Sequence, residues 1–102
     1  MNYDDVIVHS DWIKQQHPDW TKDQAELQAV LDSKADDFIN EGKDITDQVV
    51  ELIVRQARIW IERNLPDLME KVKDFFDYVL DNMGDWIMKG LNYLTELISN
   101  IL

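Results

Sequence analysis

His9 and His17 are the only imidazoles in this chain, and they stand eight residues apart. A zinc-binding helix needs two histidines four residues apart on one face, with a glutamate beside them as base. This pair does not meet that spacing and is not read as a metal site. Asp77 and Asp81 share a helix face, as the carboxylates of a diiron bundle do. Such a site also needs a Glu-x-x-His pair from each of two helices. Val6 and Lys14 stand three residues before the two histidines, so the pair is missing. The chain has no cysteine, which removes disulfides and thiolate metal ligands. Its serines, Ser10, Ser33 and Ser99, sit in no nucleophile-elbow pattern. Three glycines are too few and too scattered for a phosphate-cradling loop. The expectation is therefore a protein with no catalytic centre, no metal and no cofactor: not an enzyme.

The tryptophans are the next candidates for a ligand site. Trp12, Trp20, Trp60 and Trp86 fall within helical patterns, where aromatic residues serve mainly as core. Trp12 and Trp20 flank Pro18 and are expected to pin the N-terminal segment to the rest of the chain.

Charge is the stronger signal. Twenty-one acids against ten bases give a net charge of −11. That balance opposes direct binding to nucleic acid or anionic lipid and attracts a basic protein surface. Glu70, Asp74, Asp77 and Asp81 step by four, three and four, so they line one helix face. At 1.5 Å per residue the stripe is ~16 Å long. A solvated helix face is the plain reading. The functional readings are a docking stripe for a basic protein or, more sharply, a mimic of nucleic-acid phosphates. Asp32, Asp36 and Asp37 form a shorter acidic cluster, while Arg55, Arg58 and Arg63 are expected to bridge to acids on adjacent helices, Arg55 also neighbouring Arg58 and Glu51 on its own helix.

These side chains must be held by helices. Few glycines and two prolines favour long helices over many strands. Residues 1–9 contain Val6, Ile7 and Val8, a β-branched run, and read as an extended arm. Ser10 is expected to cap a short helix over 10–17 that stops before Pro18. Thr21 and Gln24 form a capping box that opens a helix over 22–41, with Leu27, Val30, Leu31, Ala35, Phe38 and Ile39 inward and Gly42 closing it. Asp44 or Thr46 caps the next, over 47–64, whose apolar residues occupy more than one face and suggest a central position. Pro66 suits the first turn of a helix over 66–83. Gly84 is expected to break it from a last helix over 85–102. The expectation is one all-α domain over 1–102, a small four- to five-helix bundle with a short extended N-terminal arm.

The last segment carries the functional reading. Ile87, Leu91, Leu94, Ile98 and Ile101 alternate steps of four and three, a heptad seam. Leu97 and Leu102 widen it, and from Trp86 onward only Lys89 and Glu96 are charged. A helix this apolar requires cover on most of its circumference. The cover is the rest of its own bundle, a second copy or other protein, or a membrane interface, the last disfavoured by the shortage of lysine and arginine. No apolar run reaches 18 residues and no basic leader precedes an apolar stretch, so the chain reads as cytoplasmic. The functional expectation is a non-enzymatic acidic helical interaction protein, of the kind that serves as a virus- or bacterium-encoded inhibitor or assembly factor. It acts by protein–protein contact or self-association through Ile87, Leu91, Leu94, Leu97, Ile98, Ile101 and Leu102. The alternatives are a peripheral membrane protein anchored by the same helix, or a nucleic-acid mimic using Glu70, Asp74, Asp77 and Asp81.

Overall fold

A computed structural model describes residues 2–44 and 46–82. They form four helices: α1 (Tyr3–Gln16), α2 (Lys22–Asn40), α3 (Asp47–Asn64) and α4 (Pro66–Asp81). Three of these match the expected helices to within two residues at either end, and no strand occurs among the described residues. The expected break at Gly84 and the helix over 85–102 lie outside them.

The first element differs from expectation. The extended arm over 1–9 is absent: residues 3–9 are helical and continuous with the segment that follows. Asn2 caps this helix, its side-chain oxygen accepting from Asp5 N–H at 2.9 Å. Asp4 and Asp5 then place negative charge in the first turn, where the helix dipole favours it. Val6, Ser10 and Ile13, at steps of four and three, form the buried face. That periodicity outweighs the β preference of three adjacent residues. Ser10 is therefore not a cap. It is buried mid-helix and donates from Oγ to the Ile7 carbonyl at 2.9 Å.

The helix ends where Pro18 requires. His17 N–H still reaches Ile13 O at 2.9 Å, and Trp20 N–H closes a turn onto His17 O at 3.0 Å. The His17 and Trp20 rings stack at 4.1 Å, and the Lys14 ammonium donates to Trp20 O. Trp20 is buried and pins the segment as expected, whereas Trp12 is 55 % exposed.

The capping box forms in full: Gln24 N–H donates to Thr21 Oγ1 at 3.2 Å and Thr21 N–H to Gln24 Oε1 at 2.7 Å. At the other end of α2, Gly42 N–H bonds Ile39 O at 2.9 Å and Lys43 N–H bonds Phe38 O at 3.1 Å. This is the Schellman closure, and it places Gly42 at φ 79°. The Lys43 ammonium lies 5.4 Å from the centre of the Phe38 ring and covers the turn. A Cβ at Gly42 would meet nothing within 4 Å, so only the backbone conformation opposes a side chain there. Gly42→Ala should thus cost about 1 kcal/mol, read as a lowered unfolding midpoint, while Gly42→Asn should cost less.

Thr46 caps α3, accepting from Val49 N–H at 3.3 Å. Leu65 alone separates α3 from α4, its N–H on Ile61 O at 2.8 Å and its carbonyl accepting Met69 N–H at 3.0 Å. Pro66 occupies the first position of α4, where a missing N–H is harmless.

The central helix is α2, not α3 as the apolar count suggested. Every residue from Ala25 to Leu31 is buried, on all sides of the helix, Glu26 and Gln28 included. Ala25 and Ala29 let neighbouring backbones approach closely. The other helices each turn one face inward: Val6 and Ile13 from α1, Val50, Ile53, Val54, Ala57 and Ile61 from α3, and Leu68, Val72, Phe75, Phe76 and Val79 from α4. Ile39, expected inside, is 54 % exposed, because buried Phe38, one step around α2, takes the inward position in the last turn.

Candidate functional site

The acidic stripe lies where the spacing places it. Leu68, Val72, Phe75, Phe76 and Val79 turn α4 inward, which leaves Glu70, Asp74 and Asp81 exposed on the opposite side. Asp77 is set apart from the other three. Its Oδ1 receives Arg58 Nη1 of α3 at 3.0 Å, and Arg58 Nε also approaches Glu62 at 3.4 Å. Arg58 thus ties α3 to α4 and neutralises one carboxylate of the four. Lys71, on the far side of the stripe, reaches Asp23 of α2 at 3.4 Å. These are surface pairs, each worth ~0–1 kcal/mol.

Arg55 pairs with Glu51 one turn earlier, Nη2 to Oε1 at 2.8 Å, as the spacing suggested. Beyond that pair, Leu52 and Ile59 stand 46 % and 47 % exposed on one outward stripe of α3. Val49 and Trp60 border the stripe, partly buried against the core. A shallow groove of about 270 Å³ runs beside it, lined by Lys34 from α2 and by Gln56, Ile59, Trp60, Arg63 and Asn64 from α3.

A polar junction between α1 and α2 was not foreseen from the sequence. His9 Nε2 lies 3.0 Å from Asp32 Oδ2, and Gln28 Nε2 donates to Asp32 Oδ1 at 2.7 Å. The His9 ring stacks on Trp12 with centroids 5.7 Å apart. Asp32 therefore belongs to an interhelical junction, while Asp36 and Asp37 remain exposed. Gln28 is only 4 % exposed, and its Oε1 has no hydrogen-bond partner among the described residues. A small groove of about 180 Å³ adjoins the junction, lined by Asp5, Val6, His9, Ala29, Ser33 and Asp36. With Nε2 committed to Asp32 and the ring held by Trp12, His9 joins two helices. The sequence signal was weak: 23 residues separate the bonded side chains, so only the helix packing brings them together.

A cleft of about 680 Å³ lies between α2 and α4 and is lined by His17, Asp19, Trp20, Thr21, Asp23, Gln24, Lys71 and Val72. Its chief polar groups bond one another: Thr21 with Gln24, Asp23 with Lys71. Among the described residues, no three histidine, aspartate or glutamate side chains converge as metal ligands. Among the same residues, no helix is long and apolar enough to cross a membrane. The expected contact residues Ile87, Leu91, Leu94, Leu97, Ile98, Ile101 and Leu102 lie outside the described residues. Compared with protein-family models, with curated proteins and with solved structures, the chain gives no match.

Proposed function

We propose that this chain is a non-enzymatic acidic interaction protein that acts by protein–protein contact, self-associating through the apolar seam of residues 87–101. The observation that carries the reading is the spacing of that seam. Ile87, Leu91, Leu94, Ile98 and Ile101 recur at steps of four and three, with Leu97 and Leu102 beside them and both charged residues of the segment on the opposite side. Removing such a seam from water is the strongest driving force the segment offers.

The acidic row of α4 gives the same molecule a second contact surface. Exposed Glu70, Asp74 and Asp81 present a row of carboxylates to a basic protein. Such a row sets orientation and encounter rate more than affinity, so binding there should weaken as salt rises.

The test is the mass of the full chain in solution. Sedimentation velocity over a range of concentrations should show assembly beyond the 12.1 kDa of one chain. A single 12.1 kDa species at every concentration would remove self-association from the reading.

A further inference from the structure

We infer that the outward stripe of α3 is the surface that receives residues 87–101 of a second copy of this chain, an inference that rests on the self-association reading above. Two patterns match. Val49, Leu52, Gln56, Ile59 and Arg63 recur along α3 at steps of three and four, and the terminal seam recurs at steps of four and three. Each runs fourteen steps from first residue to last, ~21 Å at the 1.5 Å rise per residue of a helix. Heptad-spaced surfaces of equal length are what two helices need to pack side by side. Leu52 and Ile59 are exposed to accept such a partner, and the groove against Trp60 has room for a branched aliphatic side chain.

The other helices are poorer hosts. The outward side of α4 carries Glu70, Asp74 and Asp81, and α2 is enclosed along Ala25–Leu31. On α1, Val8 and Trp12 stand among exposed Asp4, Asp5 and Asp11. Of the stretches that hold α1–α4, only residues 43–65, around α3, balance their charges, four acids against four bases. In a chain of net charge −11, two copies meet with least repulsion there.

The second copy, not the same chain, is the occupant because of where α4 ends. Arg58 and Asp77 show that α4 packs on the side of α3 bearing Arg58. At 100° per residue the stripe lies about 120–140° around α3 from that side. Two helices each packed ~10 Å from the α3 axis, so placed, run about 17–19 Å apart. Three links separate Asn82 from the expected helix start at Asp85, a reach of ~10 Å. The ion-paired Glu51, Arg55 and Glu62 side chains also stand in the way.

The experiment uses the full chain. Leu52→Asp with Ile59→Asp, and separately Leu94→Asp, should each raise the dissociation constant of the dimer at least about 100-fold in sedimentation velocity. Val8→Asp, on another exposed surface, should leave it unchanged. If Leu94→Asp dissociates the protein and the α3 pair does not, this inference fails while self-association through the seam stands. A monomeric wild type overturns both. Should the α3 pair fail to fold, cross-linking decides. The chain has no cysteine, and Gln56 and Leu94 are the middle positions of their seams in either helix direction. Gln56→Cys and Leu94→Cys proteins, mixed and oxidised, should give a mixed disulfide dimer in excess of either homodimer. Homodimers alone would overturn the inference.

Discussion

Truncating Phe76 to alanine should destabilise the protein by about 3–5 kcal/mol. Phe76 is fully buried and is the largest of the fully buried side chains among the described residues. It sits at the centre of the inward face of α4, between Val72 and Val79, and meets Phe75 edge to face at 5.4 Å. Removing the ring forfeits its transfer from water and leaves a cavity between helices that cannot fully close. A domain of this size holds about 5–15 kcal/mol in all, so the variant should be barely folded at room temperature. Urea unfolding followed by circular dichroism measures it. A loss below about 1 kcal/mol would mean that α4 is not sealed against α2 and α3.

Replacing Asp32 by alanine should cost about 2 kcal/mol, more than an ordinary surface change. The carboxylate of Asp32 is the partner of two side chains, the His9 ring and the Gln28 amide. Gln28 is buried, and its amide oxygen already lacks a partner among the described residues. Without Asp32 the amide would lose its only bonded side as well, and an unsatisfied buried donor costs more than the bond itself is worth. The side chain of Asp32 is one-third exposed, so water recovers part of the loss. Asp36→Ala, one turn later and exposed, is the control and should change stability by less than about 0.5 kcal/mol. Equal effects from the two variants would show that the junction is ornamental.

Much of the fold was legible where local chemistry decides it. Thr21 and Gln24 announce the start of α2, Gly42 its end and Pro66 the first turn of α4, because caps and turns are made by neighbours in sequence. The acidic row on α4 was legible for the same reason: a period of 3.6 fixes which residues share a face. The errors came from tertiary structure or from a competing local signal. Val6, Ile7 and Val8 suggested a strand, yet Asn2, Asp4 and Asp5 form a helix start, and Val6, Ser10 and Ile13 already had helical spacing. Counting apolar residues made α3 central. The two alanines of α2 and its buried Glu26 and Gln28 made α2 central instead, since small residues admit close neighbours and long polar ones bury their stems. The pairing of Arg58 with Asp77, and of His9 with Asp32, joins residues far apart in sequence and required the packed helices to appear.

These details converge on the outer surfaces. The four described helices share one core, and the contact surfaces proposed above are the acidic row of α4, the apolar stripe of α3 and the seam that follows α4 in sequence. The measurement that bears on this most directly compares the solution mass and far-ultraviolet circular dichroism of the wild type and Leu94→Asp. Self-association through the seam requires that wild type assemble and that the variant sediment as single 12.1 kDa chains with α1–α4 still helical. A variant with undiminished mass would contradict it.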